Sequence, residues 1–226
     1  VDETQVALVE DMMWDQGYLD RPQMTRTFSS IRAKDLIYTR AVNRYFLGKD
    51  DLPMDVGVWH GDTTHMPARI HSEYLRSLFL ENRLTTGEFE IEGRPIALND
   101  ITIPMFVIAT QADHIAPWRS VYKTQRFTDC DLTFVLTKGG HNGGIISEPG
   151  HVGRDFRIGH RPMGAAYEAP DHWLANHTPV LGSWWPDYAH WLSGHSSGYK
   201  SPPQMGNPAR GYPPLCAAPG PYVHQV

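Results

Sequence analysis

Two short, almost unbroken apolar runs constrain the fold of this chain more than any other feature. The first is Ile103-Pro104-Met105-Phe106-Val107-Ile108-Ala109, and the second is Leu132-Thr133-Phe134-Val135-Leu136. Neither alternates with polar residues as a strand with one wet face would, so each reads as a strand buried on both faces. Helix-compatible sequence from Pro117 to Phe127 lies between them. Strand, helix and strand within about 35 residues make a βαβ unit, whose crossover joins parallel neighbours. The expectation is an α/β fold containing part of a parallel sheet. Only two such strands are visible, too few for a complete doubly wound sheet.

The sequence before this unit reads as mostly helical. Apolar and aromatic residues recur at helical spacing from Asp35-Leu36-Ile37-Tyr38 through Val42, Tyr45, Phe46 and Leu47, with Gly48 as a stop. A second helix fits Ala68 to Arg83, where Ile70, Tyr74, Leu75, Leu78 and Phe79 form one apolar stripe. Leu52-Pro53 and the stretch from Trp59-His60-Gly61 to Asp62-Thr63-Thr64 read as loop. The alternating segment Glu88-Phe89-Glu90-Ile91-Glu92-Gly93 suits a half-buried β-hairpin arm. After the βαβ unit, a helix is expected near Trp185-Pro186-Asp187 to Leu192, with Ser183 as cap and proline in its first turn. Eleven of the 18 prolines fall in the last 76 residues, seven of them after Ser201. The expected organisation is therefore a helical region with a short β arm over 1–100, an α/β core segment over 101–195, and an extended arm over 196–226.

Composition removes several classes of function. Hydrophobic residues make up 41% of the 226 residues and charged residues 20%, which suits a chain with a packed core. Lys and Arg total 20 against 25 Asp and Glu, a formal charge of -5, so no basic stripe is available and nucleic acid is not the expected partner. No apolar run approaches the roughly 18–20 residues that a membrane span needs, and Val1-Asp2-Glu3-Thr4 has no signal-peptide pattern. Cys130 and Cys216 make neither a disulfide framework nor a metal knuckle, so a reducing, cytoplasmic setting is expected. A chain that begins with Val suits a processed product or a fragment.

Each apolar run ends in a loop that carries a titratable residue. The first leads into Thr110-Gln111-Ala112-Asp113-His114-Ile115, the second into Lys138-Gly139-Gly140-His141-Asn142-Gly143. In open α/β sheets, sites lie beyond the carboxyl ends of the strands. Asp113 and His141 are thus expected at one edge of neighbouring strands, in the chain order of the last two members of an α/β-hydrolase triad. A carboxylate there would fix the imidazole tautomer while the imidazole activates a nucleophile. The competing reading makes Asp113 a helix cap and His141 a surface loop residue.

A nucleophile is harder to find. The one formal G-x-S-x-G match, Gly194-His195-Ser196-Ser197-Gly198, follows a helix instead of a strand and lies after His141. Cys130 begins the strand whose far end leads to His141, about six residues at about 3.3 Å each away, and suits a packing residue better. Cys216 lies in the proline-rich arm. His60, His65 and His71 form no helical ligand pair with a third donor, so no metal is expected. Arg76 and Arg83 could face phosphate or solvent, and Trp184, Trp185 and Trp191 suit packing.

Taken together, these segments resemble the C-terminal half of the polyhydroxyalkanoate synthases. The resemblance runs through Gly17-Tyr18-Leu19-Asp20, Asp35-Leu36-Ile37-Tyr38, Trp59 to Thr64, Tyr74-Leu75-Arg76 and Leu80-Glu81-Asn82-Arg83-Leu84. It continues in Asp113-His114-Ile115-Ala116-Pro117-Trp118, Phe134-Val135-Leu136 before Gly140-His141, Gly182-Ser183-Trp184-Trp185-Pro186-Asp187, and Ala218-Pro219-Gly220-Pro221-Tyr222-Val223. The resemblance implies the C-terminal part of an α/β-hydrolase fold, with 1–100 as a helical cap. It also implies acyl transfer from 3-hydroxyacyl-CoA to a growing polyester with release of CoA. CoA would be a leaving group, and no cofactor is implied. Asp113 and His141 fall on the assisting acid and the activating histidine of a Cys-His-Asp triad whose cysteine lies outside this chain. Arg76, Trp118 and His114 fall in segments implied to lie near substrate. Implied partners are an N-terminal synthase half, a second copy, and granule-associated proteins at a polyester surface. The residues depart from the family at Asn142-Gly143-Gly144, His60 and Tyr38, and between Glu148 and about residue 176. A non-catalytic companion of a full synthase, or a piece of an esterase or depolymerase, are the other functions such a chain could have.

Overall fold

The computed structural model describes residues 2–20, 22–24, 34–49, 64–218 and 220–221. The expected loops at Leu52-Pro53 and from Trp59 to Thr63, His60 included, lie outside the described residues. The chain divides into two units, each with its own packing. One comprises Val1–Met105, Lys123–Leu132 and Arg161–Tyr167; the other comprises Phe106–Tyr122, Thr133–His160 and Glu168–Val226.

The first unit starts with helix α1 (Glu3–Met13), whose first turn is closed by a capping box between Asp2 and Gln5. It buries Val6 and Met13. Strand β1 (Tyr18–Leu19) pairs antiparallel with β2 (Met66–Pro67), and the Tyr18 ring stacks on His65 at 4.4 Å. Helix α2 (Ala68–Tyr74) packs on α1 and runs on as a π-helical stretch over Leu75–Leu80. The single helix expected to Arg83 therefore changes form at Leu75. It ends at Asn82, whose φ of 55° is left-handed, a conformation asparagine tolerates better than most residues. A short helix α3 (Arg83–Thr86) follows. The segment expected to be helical from Asp35 is described as two π-helical stretches, Lys34–Thr39 and Val42–Phe46, and Gly48 (φ 58°) stands at its end as expected. The β arm is a hairpin of β3 (Phe89–Ile91) and β4 (Arg94–Ile96). Its two-residue loop, Glu92-Gly93, has φ of 51° and 73°, matching the left-handed turn that follows the natural twist of paired strands.

A four-stranded sheet, most of it in the second unit, has β5 (Met105–Thr110), β6 (Leu132–Thr137), β7 (Asp155–Arg161) and β8 (Val180–Leu181) in sequence order. The Met105 amide donates to the Asp131 carbonyl at one end, and the Gln111 amide to the Thr137 carbonyl at the other. Strands β5 and β6 therefore run parallel, as the βαβ reading requires. Their crossover is two short helices, α4 (Trp118–Tyr122) and α5 (Thr124–Phe127), in place of one. The rest of the sheet is not parallel. The Lys138 amide, just beyond β6, donates to Asp155 at the start of β7, which reverses its direction, and β8 pairs antiparallel with β7. The sheet is mixed, so the expectation of an α/β arrangement holds at the level of a parallel-containing sheet.

Strand β6 is buried at all six residues, which explains its unbroken apolar run. On one face Val135 joins Phe156 and Trp184, with Phe106, Ile108, Ile145, Ile158 and Tyr188 packed around them. Helix α7 (Trp185–Gly194) supplies Tyr188; its first turn holds Pro186, and the Trp185 amide donates to the Ser183 hydroxyl. On the other face Phe134 meets Tyr122 edge to face at 4.9 Å and Trp173 of helix α6 (Pro170–Asn176) at 5.0 Å. Apolar cover on both faces makes β6 the centre of this unit's core.

Candidate active site

Both titratable loops project from the same end of the parallel pair. Asp113 lies three residues beyond β5 and His141 four beyond β6. Because the pair is parallel and adjacent, both loops leave the sheet together. His141 Nδ1 lies 2.8 Å from Asp113 Oδ2, and the Asp113 side chain is only 7% exposed.

Asp113 is held by its own loop. Its Oδ1 accepts hydrogen bonds from the backbone amides of Ile115 and Ala116, each at 2.9 Å. The Thr110 hydroxyl, at the tip of β5, lies 3.4 Å from Oδ2. Burial works against the charged form, but the Ala116 amide, the His141 ring and the Ile115 amide outweigh it and hold the carboxyl below its ordinary value. The competing sequence reading expected Asp113 to cap α4, but that helix begins at Trp118, and Asp113 instead closes a turn in the loop. It does so with one oxygen and keeps the other for the imidazole.

His141 is held by backbone geometry. The Gly144 amide donates to the Gly140 carbonyl at 3.0 Å, the Ile146 amide to Asn142 at 2.9 Å, and the Thr137 hydroxyl to the Gly144 carbonyl at 3.2 Å. The Ala112 amide donates to the Gly139 carbonyl at 2.9 Å, which ties the two loops together. A Cβ on Gly144 would stand 2.6 Å from Thr110 Cγ2, so the close approach of this loop to β5 requires glycine there. A carboxylate only accepts hydrogen bonds, so Nδ1 carries a proton, and in the neutral imidazole the lone pair is the one on Nε2. With 43% of its side chain exposed, His141 can present that lone pair to a substrate or a nucleophile. An ordered imidazole base backed by a carboxylate is suited to taking a proton from a thiol, hydroxyl or water.

The remaining candidates stand apart from this pair in character. His114 is exposed in the same loop. Trp118 is 7% exposed; its ring packs edge to face on Tyr122 and lies beneath the Arg119 guanidinium at 4.5 Å. The Arg76 guanidinium donates to Glu10 through Nε and Nη2 (2.8 and 2.7 Å) and to Glu3 through Nη1 (2.8 Å), joining the π-helical stretch to α1. Arg83 pairs with Glu81. Cys130 is fully buried just ahead of β6, while Cys216 is exposed in the arm. Ser196 donates back to the Leu192 carbonyl at 2.6 Å, closing the end of α7. Among the described residues, no three of His, Cys, Asp and Glu are grouped to hold a metal ion. No helix among them is long and apolar enough to cross a membrane.

Thr110 and the amides of Ile115 and Ala116 were not singled out in the sequence. The signal was present: an aspartate followed two and three residues later by free amides, just before Pro117, is an Asx-type turn.

Comparison with known proteins gives a consistent set of relatives. The chain is 39% identical over 195 residues to the poly(3-hydroxyalkanoate) polymerase subunit PhaC of Rhizobium etli, covering 86% of this chain and 30% of that protein. It is 38% identical over 192 residues to the corresponding subunit of Rhizobium meliloti, covering 85% and 31%. With poly(3-hydroxyalkanoate) polymerase 2 of Ectopseudomonas oleovorans the identity is 34% over 224 residues, covering 98% and 39%. The chain thus spans about a third of the length of the curated relatives it matches. No family model matches it.

Proposed function

We infer, from a chain that is a homologue of the poly(3-hydroxyalkanoate) polymerases over most of its own length, that it supplies the acid and base of a Cys-His-Asp acyltransferase site. The reaction is polymerisation of 3-hydroxyacyl-CoA into polyester with release of CoA. The observation that carries this reading is the 2.8 Å contact between Asp113 and His141 at the shared end of two parallel strands.

In this mechanism Asp113 keeps the proton on Nδ1, so that Nε2 takes the proton of a cysteine thiol supplied by sequence outside these 226 residues. The thiolate adds to the thioester carbonyl, and the C–S bond to CoA breaks. His141 returns the proton to the departing CoA thiolate. It then takes the proton of a 3-hydroxyl group that attacks the cysteine-bound acyl thioester; the C–S bond to the cysteine breaks as the ester forms, and His141 returns the proton to the departing cysteine thiolate. The buried setting of Cys130 and the arm position of Cys216 support a nucleophile from elsewhere.

A chimaera tests this directly: the matching third of the Rhizobium meliloti polymerase is replaced by this chain. The expected result is CoA release from 3-hydroxybutyryl-CoA that disappears with His141→Ala. A chimaera that turns over equally well with His141→Ala would overturn the assignment.

A further inference from the structure

We propose that Arg154 is a positioning residue for His141, bracing the base of the loop that carries the imidazole. Arg154 lies one residue before β7, and its carbonyl accepts the Gly182 amide at 2.8 Å, so its backbone belongs to the sheet framework. Its guanidinium reaches back to the loop beyond β6. Nη1 lies 3.5 Å from the Lys138 carbonyl oxygen and only 3.0 Å from the point a Cβ on Gly139 would occupy. Nη2 lies 3.6 Å from the same point on Gly143. Gly139 and Gly143 bracket Gly140-His141-Asn142. One planar group therefore donates to the start of the segment that presents the base and fills the space beside glycines at both of its ends.

Two further observations favour a positioning role over generic packing. Lys138 and Asp155, the neighbours on either side, pair with each other at 3.3 Å. Among the described residues Arg154 makes no ion pair; its charge acts on Glu148, further along the same loop, through space. Its Nε–H is buried with no partner among them. A buried unpaired donor is unfavourable, and a residue needed only to fill space would avoid it. Arginine retains what a hydrocarbon lacks, a rigid fork whose two ends are held at a fixed separation. The glycines let the fork approach, since a side chain on Gly139 would crowd both Nη1 and the Gly144 backbone, 2.9 Å away. With the loop braced from below, the ring stays in register with Asp113 Oδ2 while Nε2 remains open.

The importance of this register for turnover rests on the proposed acyl transfer; the brace itself does not. The test therefore reads the imidazole first. In the full 226-residue chain labelled with ¹⁵N-histidine, the Asp113-bound Nδ1–H should give a downfield proton signal, assigned by its loss in His141→Gln. Arg154→Met keeps the aliphatic stem and removes the fork. It should broaden or abolish that signal and speed modification of His141 by diethylpyrocarbonate, with the circular dichroism spectrum unchanged. Arg154→Lys, which keeps the charge without the fork, should fall between the two, and it serves as the probe if the methionine variant does not fold. An unchanged signal and unchanged modification rate in a folded Arg154→Met or Arg154→Lys chain would overturn the proposal. In the chimaera, Arg154→Met should lower kcat roughly tenfold or more with KM nearly unchanged, since misplacing a base weakens the transition state rather than binding. If the chimaera has no activity but the spectral change appears, the brace stands and the acyl-transfer reading fails.

Discussion

At the scale of single residues, Asp113 and Glu10 are carboxylates whose hydrogen-bond partners hold them in the charged form. Asp113 is stabilised as an anion by two amides and an imidazole, against the opposing effect of burial. Its folded value lies below the ordinary 3.8, so its contribution to stability is fully present above that pH and is lost as the pH falls through the lower folded value. Asp113→Asn should lower stability by about 1–2 kcal/mol at neutral pH, the usual range for hydrogen bonds to a charged group with one exposed partner. The gap between the two proteins should close in acid, which urea titrations from neutral pH downward would show. In the chimaera the same substitution should cut CoA release while leaving KM nearly unchanged. Glu10 behaves similarly in the first unit. Hydrogen bonds from Arg76 and Ser72 lower it to about 2 from 4.5. Stability from this clamp is present above pH 4.5 and is lost as pH falls towards 2. Glu10→Gln should therefore unfold the first unit at a higher pH than the parent, read by helical ellipticity in an acid titration.

At the scale of elements, the histidine loop depends on a contact between residues far apart in sequence. Gly144→Ala would drive its methyl group into Thr110 Cγ2, and over-packing of this kind costs about 1–3 kcal/mol. Thr110→Ser removes that methyl carbon, so the double variant should recover part of the lost stability. Thermal melts of the two single variants and the double would reveal the coupling, and strict additivity would contradict it. Elements differed in how far they could be read from sequence for physical reasons. Strands β5 and β6 were legible as unbroken apolar runs, but only β6 is buried at all six residues; β5, expected to be buried on both faces, is half-buried from Met105 to Ile108 because it ends the strand order. Strand β7 was not legible: Asp155-Phe156-Arg157-Ile158-Gly159-His160-Arg161 carries charges that a buried strand usually lacks. Its arginines are accommodated by backbone carbonyls, Arg157 on His177 and Arg161 on Gln125 and Thr128. No local pattern announces such partners. The spacing of Asp113 and His141 brought them to one edge in advance, whereas the Gly144–Thr110 approach and the Arg154 fork needed three dimensions. Arg76 shows the reverse limit, since its sequence context suggested an anion from outside and the folded chain supplies Glu3 and Glu10.

At the scale of the whole molecule, large apolar side chains remain in water. Trp14 is 84% exposed, Phe46 82%, Tyr45 79% and Leu181 88%. Strand β5 ends the order of its sheet, and no described strand pairs with its outer edge. Open strand edges and apolar patches drive association. The isolated 226-residue chain is therefore expected to self-associate, and sedimentation velocity at micromolar concentration would check it. A clean monomer across that range would count against this. The strand order has another consequence, for the route by which this sheet assembles. Strands β5, β6, β7 and β8 each pair with the next in sequence, so no pairing in the sheet waits for a distant segment. Chain-closure entropy grows with the length of the loop closed, and folding slows as contacts become less local. The sheet is thus of low contact order, and the loops of Asp113 and His141 meet as soon as β6 docks on β5. Each half of the pair is brought to the other by a crossover of little more than twenty residues, so the acid and the base find each other early in folding.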